Sequence, residues 1–253
     1  MQYGERVIER RHQGPDVEEL QLRLAGFRGT APDGDFGAGT ELQVTKFQQD
    51  YMKMAQPTGV ADRASLEAID AFAEQYPIDF QALRCTCGEC GGWGQGRFKG
   101  QYRAGQPKDE AFHRYEYPGI HRMLLWAVRA VFFYAPQHNF VITCGYRCAI
   151  HNQQKGRTST NHHGKAIDLD VVMKPGTDKR DDMRCCNDVR GGLVERSHAQ
   201  VGWAARNRKA LEPADIAPTW IHYDVRCYEP KYLENRFFCQ DLAGLNNRRE
   251  IRV

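Results

Sequence analysis

The first 75 residues alternate between apolar stripes at helical spacing and short turns rich in glycine. One stripe begins at Asp16, a second lies between Thr40 and Tyr51, and a third ends at Phe72. This spacing predicts three amphipathic helices, because positions three or four residues apart share one helix face. Thr40 is expected to cap the second helix, since its hydroxyl can accept a hydrogen bond from a free backbone N–H. The pattern therefore predicts a small helical domain over residues 1–76.

The pattern beyond residue 114 is mixed and predicts both helices and strands. A long apolar stripe at helical spacing is followed by three short runs rich in β-branched and aromatic residues, which favour strands. A further helix is expected over residues 179–199. The predicted strands are residues 140–143, 166–172 and 220–225. Together these elements predict an α+β fold, with a small antiparallel sheet flanked by helices in a second domain at 115–253.

Residues 77–114 interrupt all periodicity and are rich in cysteine and glycine. Cys85, Cys87 and Cys90 form the densest group among nine cysteines, an odd number that leaves at least one thiol unpaired. A fourth ligand at zinc-ribbon spacing is absent from this segment. The sequence therefore favours a linker with a local staple or reduced thiols over a structural metal clip.

The charge and hydropathy of the chain exclude two classes of partner. The formal net charge is +3 over 253 residues, and no basic block is interleaved with aromatic residues, so we expect no nucleic-acid partner. No uninterrupted apolar run is long enough to span a bilayer, so we expect no membrane insertion. The first residues lack the apolar core of a secretory signal peptide, which predicts synthesis in a cytoplasm.

Candidate metal ligands concentrate at the start of the second predicted strand. His162 and His163 lie in a polar loop, and Asp168 and Asp170 follow on one face of the strand, since side chains alternate. His222 lies in the third predicted strand. Two imidazoles and one carboxylate, with a fourth position open, are a ligand set typical of catalytic zinc.

Three motifs in order resemble the M15-type zinc peptidases, which cut peptidoglycan stem peptides. They are Gly145-Tyr146-Arg147, Gly164-Lys165-Ala166-Ile167-Asp168 and His222-Tyr223-Asp224, and the resemblance covers roughly residues 115–240. It implies zinc held by a histidine of the loop, Asp168 and His222. The family histidine usually stands three residues before the glycine, where this chain has Asn161. His162 is favoured because it lies one residue from that position, whereas His163 lies two residues away. His163 paired with Asp170 is the alternative.

The same resemblance implies roles for residues around the metal. Arg147 is expected to bind a substrate carboxylate or to polarise a carbonyl, and Tyr146 is expected to contact substrate. Many relatives carry a general-base glutamate three residues before the last ligand, where this chain has Thr219. Asp215 and Asp224 are therefore the candidates for the base, and Asp224 could equally orient His222.

The N-terminal helices resemble the peptidoglycan-binding module of many wall hydrolases. The resemblance rests on Asp33-Gly34-x-Phe36-Gly37, Thr40 and Phe47-Gln48, over roughly residues 12–75. It implies that Asp33, Phe36 and Thr40 contribute to wall binding.

Both resemblances together imply a monomeric zinc peptidase that acts on peptidoglycan, as phage endolysins do. The enzyme would act on the wall, in the periplasm or outside the cell, and cut L-alanyl-D-glutamate or D-alanyl-D-alanine bonds. A wall-trimming D-alanyl-D-alanine carboxypeptidase and a non-catalytic peptidoglycan-binding protein with a degenerate zinc site remain as alternatives. His151, after the first motif, is expected to face solvent.

Overall fold

The computed structural model describes residues 3–88, 115–116, 120–157, 162, 164–197, 199 and 211–224. Its helices are α1 (Pro15–Arg23), α2 (Ala38–Asp50), α3 (Arg63–Gln75), α4 (Arg122–Tyr134), α5 (Ala149–Gln154) and α6 (Lys179–Ser197). Its strands are β1 (Tyr115–Glu116), β2 (Ile120–His121), β3 (Phe140–Cys144), β4 (Ala166–Val171) and β5 (Ile221–Asp224). The predicted α+β class is confirmed. No helix in these ranges is long and apolar enough to cross a membrane.

The second helix starts earlier than its sequence predicts. α2 begins at Ala38 with Gly37 as its N-cap, so Thr40 lies inside the first turn. The Thr40 hydroxyl is buried, accepts a hydrogen bond from Gln21 Nε2 at 2.9 Å and donates to the Asp35 carbonyl at 3.3 Å. The expected capping role of Thr40 is therefore wrong, because its side chain points into a polar network beneath the preceding turn.

A three-stranded antiparallel sheet carries the candidate chemistry, with β4 between β3 and β5. Asp168 on β4 pairs with Cys144 on β3 and with His222 on β5. Directly opposite residues of neighbouring strands project from the same face of a sheet. The register therefore brings two predicted metal ligands together, although 54 residues separate them in the chain.

The three N-terminal helices and α4 share one apolar core. The Phe27 ring lies 5.8 Å from that of Phe133 and 5.6 Å from that of Tyr134, centroid to centroid. The Tyr134 hydroxyl donates to Asp50 Oδ2 at 2.6 Å. At the edge of this core Arg122 forms an ion pair with Glu19. The first 76 residues thus bury part of their apolar surface against a helix that follows the linker.

Several predictions fall outside the described residues. These include the linker from residue 89 to 114, with Cys90, the alternative ligand His163, and the chain after residue 224. The domain boundaries at residues 76 and 114 stay predictions.

Candidate metal centre

The carboxylate of Asp168 lies between two histidines. Its Oδ2 atom is 3.2 Å from Nε2 of His162, and its Oδ1 atom is 2.7 Å from Nδ1 of His222. The two imidazole rings lie 5.3 Å apart, centroid to centroid, and are steeply inclined at 76°. The sheet register positions Asp168 and His222, while His162 reaches them from the loop before β4. Each oxygen of the Asp168 carboxylate therefore contacts one histidine nitrogen.

Backbone contacts fix the orientation of His162. Its Nδ1 atom is 2.9 Å from the carbonyl oxygen of Gly145, which accepts a hydrogen bond from a protonated Nδ1. The amide of Arg147 donates to the carbonyl of His162 at 2.8 Å, so the loop is tied to the motif after β3. When the ring is neutral, a hydrogen bond on one ring nitrogen sets the tautomer and leaves the other nitrogen with its lone pair. In His162 that other nitrogen is Nε2, which faces Asp168.

His222 is held from its far side by two buried carboxylates. Its Nε2 atom lies 3.4 Å from Oδ2 of Asp224 and 4.0 Å from Oε1 of Glu212. Both acids are buried, with Asp224 only 1% exposed. The Nδ1 atom of His222 is then the nitrogen that faces Asp168, as in the carboxylate–histidine–metal arrangements of many metal sites.

Burial and charge act in opposite directions on these groups. Burial alone lowers the pKa of both imidazoles, but the negative charge of Asp168 outweighs it. The pKa of His222 rises to about 9, and that of His162 rises well above its ordinary value. Burial raises the pKa of Asp168, but the two histidines hold it well below its usual range. Without a metal the centre therefore retains protons on its histidines, and a cation must displace them.

A cleft of about 410 Å³ opens beside the centre. Asp168, Asp170 and Trp220 line it together with Arg147. The Arg147 guanidinium donates to the Sγ atom of Cys144 at 3.0 Å, which orients its charge along this wall. Asp170 accepts a hydrogen bond from the Thr143 hydroxyl at 3.4 Å, and partial burial raises its pKa. The centre thus adjoins a cleft with both a cation and carboxylates on its walls.

Other predicted site residues lie away from the Asp168 carboxylate. Asp215 is exposed in the loop before β5, and within the described ranges it has no hydrogen bond to the centre. Tyr146 is only 2% exposed, so its ring packs in the core. Phe36 is also buried, whereas Asp33 is exposed and accepts a hydrogen bond from Gln21 Nε2 at 2.8 Å. Their predicted roles in binding substrate or wall stay predictions.

The sequence analysis missed Glu212 and gave Cys144 no role. Cys144 ends β3 and places its Sγ atom 3.4 Å from Nδ1 of His162. Cys144, His162 and Asp168 form a group able to hold a metal ion. The position of Cys144 directly before Gly145-Tyr146-Arg147 was a usable signal. Glu212 lies ten residues before His222, and nothing in its local pattern predicted the contact.

Comparison with known proteins identifies the N-terminal helices. Residues 13–69 match a family described as "Putative peptidoglycan binding domain". The match supports a peptidoglycan-binding module in this region and indicates association with the cell wall. It ends at residue 69 and so contains none of the residues of the candidate metal centre. No curated protein matches the chain.

Proposed function

We propose that the protein is a zinc-dependent peptidoglycan hydrolase that cuts peptide bonds of the stem peptide, as endolysins of phages do. The observation that carries the proposal is the position of Asp168, within 3.2 Å of His162 Nε2 and 2.7 Å of His222 Nδ1, beside an open cleft. The peptidoglycan-binding match at residues 13–69 supports the same substrate.

The donor set suits zinc in number and chemistry. Zinc readily binds imidazole nitrogen and carboxylate oxygen, and three protein ligands leave one position for water or substrate. His162, Asp168 and His222 would hold the ion. When bound, zinc lowers the pKa of a water ligand to near 7 and polarises a substrate carbonyl.

The residues behind the histidines keep the ligand atoms in place. The Gly145 carbonyl holds the Nδ1 proton of His162, and Asp224 with Glu212 faces the Nε2 side of His222. These contacts orient the rings so that Nε2 of His162 and Nδ1 of His222 face the carboxylate of Asp168, with which they would hold the ion. Asp224 is thereby better placed to orient His222 than to accept a proton from the cleft.

Arg147 and Asp170 would act on the substrate side. Arg147 lines the cleft, and its planar guanidinium can bind a carboxylate of the stem peptide through two parallel hydrogen bonds. Asp170 also lines the cleft and lies on the same face of β4 as Asp168. We assign Asp170 as the proton acceptor, in preference to the exposed Asp215.

Mass spectrometry of fragments released from purified peptidoglycan by the full-length chain tests this proposal. We expect new termini within stem peptides, loss of the products on chelation, and recovery on adding zinc. His222→Ala should abolish product release, whereas His138→Ala, beside Cys185 and outside the centre, should leave it intact.

The other outcomes assign a different function. Release of D-alanine alone, without solubilised fragments, identifies a wall-trimming carboxypeptidase. Binding to sacculi with no released product under any zinc condition identifies a non-catalytic wall-binding protein, which the match at residues 13–69 alone would also accommodate.

Asp224→Asn should weaken zinc binding about 10–100-fold, as expected for an orienting carboxylate.

A further inference from the structure

A second group of metal-ligand side chains lies where residues 85–87 meet the start of α5. The Sγ atoms of Cys85, Cys87 and Cys148 lie within 4.8 Å of one another. The Nδ1 atom of His151, one turn into α5, lies 3.3 Å from the Cys85 sulfur. His151 is half-buried and contacts a thiol, so the expectation that it faces solvent is met only in part, because the 85–87 segment packs against the start of α5.

Two contacts within the group are close to the edge lengths of a zinc tetrahedron. Bonds of about 2.3 Å to sulfur and about 2.0 Å to nitrogen place two sulfurs about 3.8 Å apart, and a sulfur and a nitrogen about 3.5 Å apart. The Cys87 and Cys148 sulfurs are 3.6 Å apart, and the Cys85–His151 contact is 3.3 Å. The three sulfurs lie within 4.8 Å of one another, and a shift of the His151 ring, which already contacts the Cys85 sulfur, would complete a set of four ligands.

Burial raises the pKa of Cys85 and Cys148 to about 11, so a metal ion would have to displace their protons, but a backbone amide is placed to support a thiolate. The amide of His151 donates to the Cys148 sulfur at 3.3 Å, and such hydrogen bonds stabilise and orient a metal-bound thiolate. The ligands form two short pairs, Cys85-x-Cys87 and Cys148-x-x-His151, that are distant in the chain. Inspection of the linker alone could not find the fourth ligand, since His151 lies beyond β3.

We propose that Cys85, Cys87, Cys148 and His151 bind a structural zinc ion, separate from the metal centre at Asp168. Four protein ligands leave no open position, which is the pattern of structural and not catalytic zinc sites. This proposal does not depend on the proposed hydrolase activity, because its ligands and its readout are independent of the Asp168 centre.

The site would fasten the segment after α3 to the wall of the cleft. The amide of Tyr146 donates to the Leu83 carbonyl at 2.7 Å, so the 83–87 segment already runs along the residues that carry Arg147. A Cβ atom on Gly145 would lie 2.5 Å from Leu83 Cα, which shows how closely the two backbones approach. A zinc ion at the end of this contact would lock Arg147 and the start of α5 in place.

The test is the zinc content of the purified full-length chain, measured by elemental analysis. We expect about two zinc ions per chain in the wild type, and loss of one ion in Cys87→Ser or His151→Ala. His222→Ala should lose the other ion, so failure of either site is distinguishable. Cys185→Ser is the matched control, because its sulfur also lies beside a histidine, at 3.5 Å from His138, but should leave the zinc content unchanged.

Cobalt substitution provides a readout that depends on ligand chemistry. The site predicts thiolate-to-cobalt charge-transfer absorption that persists in His222→Ala and weakens in Cys87→Ser. His151→Cys should retain the ion, because a fourth thiolate replaces the imidazole. If the cysteine variants do not fold, titration of wild-type thiols with a mercurial reagent should release one zinc ion and lower the melting temperature.

Two results would overturn the proposal. One is the loss of all the zinc bound by the wild-type chain when His222 is replaced by alanine. The other is a mass deficit of two hydrogens in unreduced protein, mapped to a bond between Cys87 and Cys148, because a disulfide would remove both thiolates from the site.

Discussion

Replacing Gly26 with alanine should disrupt the contact between the N-terminal helices and α4. A Cβ atom at this position would lie 2.1 Å from the Cβ atom of Ala130 and 3.4 Å from the Trp126 carbonyl oxygen. The side chain of Ala130 ends at Cβ and cannot rotate away, so the clash must be relieved by movement of the backbone. Overpacking of this kind costs about 1–3 kcal/mol. For a chain of this size we expect the melting temperature to fall by about 2–12 °C.

A double-mutant cycle measured by thermal or urea unfolding isolates the contact. Ala130→Gly alone should cost about 1 kcal/mol, as a glycine inside a helix. In the double variant, Ala130→Gly should remove the clash, so adding Gly26→Ala to the Ala130→Gly protein should cost little. The coupling energy between the two substitutions should therefore be about 1–3 kcal/mol. Gly191→Ala is the matched control: it lies in α6 with no atom within 4 Å of its added Cβ, so it should stabilise by about 0.5–1 kcal/mol. Additive effects of the first two substitutions would refute the shared core.

Four further predictions concern the wall-binding module and the metal centre. Gln21→Leu should lower the free energy of unfolding in urea by about 1–3 kcal/mol and weaken sedimentation with sacculi. The substitution removes the hydrogen bonds from Gln21 to the turn at residues 33–37, directly before α2. In the metal-free chain, the raised pKa of His222 stabilises the folded state fully below about pH 6.5, and this stabilisation is lost as the pH rises through about 9. The melting temperature of the metal-free chain should therefore fall between these two pH values. His162→Ala should lose zinc and hydrolysis together, measured by elemental analysis and product release, whereas His163→Ala should retain zinc. The opposite result would make His163 the zinc ligand. Asp170→Asn should lower the rate of product release about 10²–10⁴-fold with zinc still bound, and an unchanged rate would exclude it as the proton acceptor.

The sequence by itself determined the elements of this protein. Apolar spacing predicted α1, α2 and α3, and alternation predicted β4 and β5 to within two residues of their observed ends. These features are local, because a helix or strand with one buried face leaves its period in the chain. The glycine-rich turn at residues 33–37 likewise identified the region that matches the peptidoglycan-binding family.

The cap of α2 was wrong for a reason that lies outside the local sequence. Thr40 has the residue type of an N-cap, but Gln21 on α1 draws its hydroxyl into a buried network. The preference of a hydroxyl for a helix end is worth about 1 kcal/mol, so buried hydrogen bonds can outweigh it. Only the packing of α1 on α2 decided between the two.

Tertiary structure alone decided which chemical groups meet. The register of β4 against β5 placed Asp168 opposite His222, and the loop before β4 brought His162 to the other carboxylate oxygen. The contact of His151 with Cys85 depends on the 83–87 segment folding back along the end of β3, a pairing over 66 residues. Periodicity reports which face of an element is buried, but it carries no information about the partner that buries it. For that reason the sequence supplied the candidate ligands, while the fold determined how they group into two separate clusters.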